Sequence, residues 1–356
     1  MAGACTFRFL VNPGCDIGAA SILFPWNICL RHGVRQRPRC RRAAGLKTSV
    51  VIATRNSIGT IEECLSSLMP YYKTGSIGEI IVVDGASTDG TLKVIKKFPV
   101  KLMTDPGKGM FIGYEAAWKE THGELVMFID SDACLGAGFF PGLYTQFEDV
   151  RVGIVGCLAR AASKNSLERT VGQWWDYHGT MLRNSGTKPS RFKKLYYHVT
   201  GFSGGQIFTS GPCYIARRNC LEAVNGFKEW LCLYELSPRL MYPGDNLLSR
   251  SIVENGWEAR WWTDAPVCHH PPSTLKSLLK QRYAWGKGDG ALLRLSRKGR
   301  ISRFAPPLIR LVSPVLGIWL AIRYRNVLQL VVFPLAHYAW IAGYMMAPRP
   351  RSEVKH

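Results

Sequence analysis

From residue 48 onward the chain alternates two hydrophobic rhythms. Short apolar runs at 49–54, 79–84, 100–103 and 125–129 predict strands, and the segments between them, 58–72, 88–98 and 109–121, carry helical spacing. The run at 125–129 has no polar residue, which predicts a strand covered on both faces. Strands alternating with helices imply a parallel sheet with right-handed crossovers, and such sheets collect ligands outside the carboxyl ends of their strands. Further on, a helix after Phe139, a strand at 152–158, a helix opening near Asp245 and closing near Asn255, and a strand at 257–262 are predicted. Residues 161–210 read as irregular, rich in aromatic and basic residues that could recognise an acceptor or pack as a cluster. A basic amphipathic helix is predicted at 275–284. Residues 327–347 are then 21 positions without a formal charge, long enough to span a membrane, whereas 306–322 is interrupted by Arg310 and Pro314. A spanning hairpin and an interfacial helix followed by one span both fit this pattern.

Charge sharpens the outline. The 356 residues carry a formal net charge of +21, concentrated in 1–46, with seven Arg against one Asp, and in 274–310, with ten Lys or Arg against one Asp. Next to apolar segments, such blocks suit an anionic membrane surface better than nucleic acid, and no nucleic-acid recognition motif accompanies them. Residues 17–30 are mostly apolar, but Asp16 precedes them and the Arg cluster follows, the reverse of a secretory signal. Eleven Cys occur without a CxxC pair, several of them (Cys64, Cys157, Cys213) in apolar surroundings, as expected for reduced thiols facing the cytoplasm. The expected organisation is a flexible basic arm over 1–46, an α/β domain over 47–300, membrane-associated helices over 301–347 and a basic tail over 348–356.

The chemistry gathers where the predicted strands end. Asp130 and Asp132 flank Ser131 directly after the 125–129 run. Taken alone the pair also fits an ordinary acidic turn after a strand; as two carboxylates at such an edge they repel unless a cation lies between them, and Mg²⁺ or Mn²⁺, with oxygen ligands and substrate phosphates, is the natural partner. Asp84 closes the second strand. Lys108, between Gly107 and Gly109, offers a cation where backbone can approach a phosphate.

Taken together, the segments 48–56 (TSVVIATRN), 82–91 (VVDGASTDGT) and 128–132 (FIDSD) resemble three successive signatures of the family-2 inverting glycosyltransferases, with looser similarity extending to about residue 288. The resemblance implies a GT-A fold, a Rossmann-like nucleotide-diphospho-sugar transferase domain, with a membrane-associated helical region after it. It implies that Thr54 and Asp84 line the nucleobase, that Asp130 and Gly211 meet the donor, and that Asp132 and His269, the latter preferred over His270, hold the metal. Asp245, in the segment 241–250 (MYPGDNLLSR), matches the general base. The segment 281–288 (QRYAWGKG) resembles the family's Gln-x-x-Arg-Trp element, which points to Gln281, Arg282 and Trp285 on the acceptor side. Three positions depart from the pattern: Gly85 and Gly244 stand where acids are common, and Ala284 stands where the Arg belongs. For Asp89 the expected role is helix capping.

The implied activity is metal-dependent, inverting transfer of a sugar from a UDP- or GDP-linked donor to a lipid-linked or membrane-proximal acceptor, in its narrower form a polyprenyl phosphate. The catalytic domain is expected on the cytoplasmic face. The contrasting expectation is a catalytically silent nucleotide-sugar or lipid-binding protein on the same scaffold, with the three departures as signs of decay.

Overall fold

The structure, a computed structural model, describes residues 46–105, 109–183, 199, 211–228, 230–231, 244–295 and 306–348. Lys108 and the aromatic residues Tyr196, Tyr197 and His198 lie outside the described residues, as does the expected N-terminal arm up to residue 45.

The strands of the first half are β1 (Thr48–Thr54), β2 (Ile77–Asp84), β3 (Lys101–Thr104) and β4 (Leu125–Ile129), connected through α1 (Ile61–Lys73), α2 (Thr91–Ile95) and α3 (Met110–Lys119). These four strands are mutually parallel, in the order β3-β2-β1-β4. Their side chains sort by alternation, as the two-residue period of a strand requires. Val50, Ile52, Ile80, Val82 and Met127 pack into a core beneath α1. Val51, Ile81, Val83, Val126 and Phe128 face the opposite way, into a core with Phe111, Tyr114 and Trp118 of α3. The predicted helix at 88–98 is shorter than its sequence pattern, five residues only.

After β5 (Ala133–Leu135), α4 (Phe139–Gln146), β6 (Val152–Cys157), β7 (Arg160–Ala161) and α5 (Ser166–Arg183), the chain adds β8 (Cys213–Arg217), α6 (Arg218–Val224), α7 (Gly244–Glu254), β9 (Glu258–Trp262) and β10 (Val267–His269). The main sheet becomes β3-β2-β1-β4-β8-β6-β9. β8 runs antiparallel to both neighbours, pairing Cys213 with Ile129. This reversal brings the start of β8 to the edge where β4 ends, and the Asp130 amide donates to the Pro212 carbonyl at 2.8 Å. A small second sheet, β5-β10-β7, sits beyond that edge.

Two expectations for the later chain are corrected. Residues 166–183, read as irregular, form α5. The helix predicted at 275–284 continues as α8 (Leu275–Leu295), 21 residues long. The continuation passes through Gly286 and Gly290 because α8 lies directly against α10 (Gln329–Met345). A Cβ on Gly286 would overlap the Trp340 carbonyl, and one on Gly290 would come 2.6 Å from the Tyr344 carbonyl. Small residues on one helix face permit such backbone approach. α9 (Ser313–Tyr324) completes the helical region, where Leu316 and Leu320 share a core with Val171 and Trp174 of α5, Leu278 of α8 and Phe333 of α10. The charge-free segment 327–347 yields a helix of 17 residues, whereas Pro306–Tyr324 is the one helix among the described residues long and apolar enough to cross a membrane.

Candidate metal centre and active site

The end of β4 gathers donors from distant parts of the chain. Asp130 and Asp132 lie in the turn from β4 to β5, where the Ala133 amide closes back on the Asp130 carbonyl at 3.0 Å. β10 pairs with β5 so that His269 lies opposite Ala133. His269 Nε2 thereby reaches Asp132 Oδ1 at 3.1 Å. One donor atom each from Asp130, Asp132 and His269 lies within 4.8 Å of the others. His270, the residue after β10, bonds Glu63 Oε2 of α1 at 3.1 Å instead, and its amide donates to the Asp132 carbonyl at 3.0 Å.

The electrostatics of this group suit a cation. Burial raises Asp130 well above the usual carboxylate range, and the neighbouring Asp132 charge adds to the effect. At His269 burial acts downward, but the bond to Asp132 and the charges of Asp132 and Asp130 leave its pKa raised. Two carboxylates and an imidazole, converging but mutually strained by charge, form a donor set that fits a hard or borderline divalent ion with positions left for diphosphate oxygens.

Around these groups lie side chains that sequence patterns did not single out. Tyr114 of α3 donates its hydroxyl to Asp130 Oδ1 at 3.5 Å. Trp175 of α5 stacks flat on the His269 ring, 4.9 Å between centroids and 10° from parallel. Ser131 meets Ser57 at 3.0 Å between hydroxyl oxygens. Only the adjacent pair Trp174–Trp175 offered a signal in the sequence, and it did not distinguish packing from a role at the site.

Asp245 stands in the first turn of α7. Its Oδ1 accepts from the Asn246 amide at 2.8 Å, and its Oδ2 accepts from the Gly211 amide at 3.4 Å. Gly211 has φ of +125°, a conformation open chiefly to glycine. Burial pushes the Asp245 carboxyl up to about 6, and its charge is felt at Asp130. Gly244, where the family pattern carries an acid, has a steric cause: a Cβ there would fall 2.5 Å from the Phe111 ring.

On the far side of the edge, Thr54 ends β1 directly beside Asp84, which ends β2. Thr54 is 5% exposed, and its hydroxyl has no hydrogen-bond partner among the described residues. The Asp84 carboxylate accepts from the Ser87 amide at 2.9 Å and the Ser87 hydroxyl at 2.5 Å, and this pair of bonds fixes its orientation. The N-cap of α2 is Gly90, without a side-chain cap bond, so Asp89 does not take the expected capping position; it accepts from the Thr91 amide and hydroxyl and from the Ile58 amide. Gln281, Arg282 and Trp285 lie on α8. The Arg282 guanidinium lies 4.3 Å from the Trp285 ring centroid and 5.4 Å from that of Trp174, which commits it to the α5–α8 packing.

Residues 49–210 match glycosyl transferase family 2. Glycosyltransferase AglE of Haloferax volcanii is 23% identical over 258 residues, covering 70% of this chain and 75% of that protein. The poly(ribitol-phosphate) beta-N-acetylglucosaminyltransferase TarS of Staphylococcus aureus is 36% identical over 194 residues, covering half of this chain but 28% of TarS. In fold, the chain is similar to the mannosyltransferase PcManGT of Pyrobaculum calidifontis, solved with GDP-Man and Mn²⁺, with a TM-score of 0.51, 18% identity, and coverage of 84% and 86% of the two chains.

Proposed function

Starting from the fact that this chain carries a family-2 glycosyltransferase domain with a GT-A fold, we propose that it transfers a sugar with inversion from a UDP- or GDP-linked donor to a lipid-linked or membrane-proximal acceptor. The observation that carries this reading is the meeting of Asp130, Asp132 and His269 at the end of β4, with the half-buried carboxylate of Asp245 close enough for its charge to act on Asp130.

In this reading Asp132 and His269 hold Mg²⁺ or Mn²⁺, with Asp130 turned to the donor. The bound ion would neutralise the departing diphosphate. Everything else falls to the chain itself. Thr54 and Asp84 border the nucleobase, and the Thr54 hydroxyl has no hydrogen-bond partner among the described residues. Gly211, without a side chain, lets backbone approach the sugar. Asp245 accepts the proton of the acceptor hydroxyl as that oxygen attacks the anomeric carbon. The bond to the diphosphate breaks on the opposite face, and the configuration inverts. With a polyprenyl phosphate as acceptor no proton need be removed, and Asp245 then only orients the nucleophile.

The experiment is a donor screen read by release of nucleoside diphosphate, with lipid extract as the source of acceptors. Sugar label moving into the organic phase supports the lipid-linked form. A linkage cleaved by mild acid singles out the polyprenyl phosphate, and one that survives favours a hydroxyl acceptor. Release from no nucleotide sugar, with any extract, leaves the silent binding protein as the better account.

A further inference from the structure

We propose that the α9–α10 hairpin does not cross a membrane but lies flat on one leaflet, with its outer apolar face as a docking surface for an anionic lipid bilayer.

The outward face of the hairpin is apolar along its length. Leu308, Leu311, Val315, Ile318 and Ile322 recur at intervals of three and four residues, and they are 60%, 53%, 57%, 52% and 74% exposed. Val327 in the turn and Leu330, Val331, Tyr338 and Met345 of α10 are exposed apolar side chains as well. The inward face is occupied by protein, with Leu316 and Leu320 of α9 and Val332, Phe333 and Ala336 of α10 buried against α5 and α8. One apolar side turned out and one packed in is the pattern of a helix lying in the interface plane.

Two observations argue against a spanning arrangement. The turn between the helices is fastened to the catalytic side: the Asn326 side-chain amide donates to Thr170 Oγ1 at 2.9 Å and to Gln173 Oε1 at 3.0 Å, and Gln329 Nε2 bonds Gln173 Oε1 at 2.8 Å. Thr170 and Gln173 are on α5, the helix whose Trp175 stacks on His269. The tip of a spanning hairpin would lie about 30 Å from the catalytic domain, the thickness of the hydrocarbon. Second, α10 lies against α8 through Gly286, Gly290 and Gly343. α8 carries Lys276, Lys280, Arg282, Lys287, Asp289 and Arg294, charges that do not enter hydrocarbon. Arg323 and Arg325, exposed at the end of α9, join the basic residues of 274–310 in favouring anionic headgroups.

The test adds full-length protein to preformed phosphatidylglycerol vesicles, recovers them by flotation, and labels with a membrane-impermeant maleimide read peptide by peptide by mass spectrometry. Arg325→Cys places a thiol in the hairpin turn, and the exposed native Cys268 reports the catalytic side. The proposal expects flotation, and labelling of both thiols without detergent. Protection of the turn thiol until detergent is added, with Cys268 labelled throughout, establishes a spanning hairpin and overturns it. Ile318→Glu with Ile322→Glu should abolish flotation with the far-ultraviolet circular dichroism unchanged. Flotation retained by that variant, or no flotation of the wild type, equally overturns the proposal. None of these readouts depends on sugar transfer, so the result stands apart from the assignment of the activity.

Discussion

As the proposed base, Asp245 must be ionised to take a proton, and burial raises its pKa to about 6. A base is lost as it protonates, so transfer to a hydroxyl acceptor should hold above that value and fall as the pH drops through about 6. Asp245→Asn, which cannot accept the proton, should lower kcat by about 10²–10⁴-fold, the usual worth of a positioned general base, while leaving the donor KM near the wild-type value. The pH–rate profile and the two kinetic constants check this. Trp175 belongs to the same scale. Its ring holds the His269 imidazole in one plane, and outer partners of metal ligands are typically worth about 10–100-fold in metal affinity. Trp175→Ala should weaken Mn²⁺ binding by about tenfold, measured by electron paramagnetic resonance of free Mn²⁺, and Trp175→Phe should restore most of it. Much at this scale was readable in advance, because two acids directly after an apolar strand announce themselves. The stacking of Trp175 was not, because its partner lies 94 positions away on a strand of three residues.

Elements formed as their periodicity dictated wherever the rhythm was long and clean. β1 to β4 and α1 to α3 follow it, with ends shifted by a few residues. α5 was missed although Leu167, Val171, Trp174 and His178 repeat at four, three and four, because the charged residues among them break up the hydrophobic signal. β5, β7 and β10 have two or three residues each, too few for a period to show. Glycine was ambiguous in the same way. In α8 it reads as a helix stop, yet Gly286 and Gly290 are where α10 comes closest. Adding a side chain there is overpacking, which commonly costs about 1–3 kcal/mol. Gly286→Val should lower the midpoint of urea unfolding accordingly, whereas Gly138→Ala, with open space at the Cβ position but φ of +77°, should show only the smaller cost of backbone strain. Gly244→Glu, which restores the family's usual acid, should destabilise the fold for want of room beside Phe111.

Across the whole molecule, two regions meet at the candidate metal centre. The sheet contributes Asp130 and Asp132 at its edge, and the helical region reaches the same place through α5, which stacks on His269 and shares a core with α9 and α10. A boundary near residue 300, natural from composition, cuts across this packing, since α8 lies on one side of it and its partner α10 on the other. Binding at the centre should stabilise the fold, because a ligand taken only by the native state adds free energy with occupancy, about 2.7 kcal/mol at a hundred times its Kd. Mn²⁺ with nucleotide sugar should therefore raise the Tm of the wild type and leave that of Asp132→Ala unchanged.

The central claim, that Asp130, Asp132 and His269 hold the cation on which the donor diphosphate sits, meets its most direct test in nucleoside diphosphate release from the nucleotide sugar selected by the donor screen. It is to be measured with and without Mn²⁺ for the wild type and for Asp132→Ala. Release that requires the metal, stops on chelation and is absent from the variant is the predicted result. Release that proceeds at the same rate after chelation, or survives intact in Asp132→Ala, would contradict it.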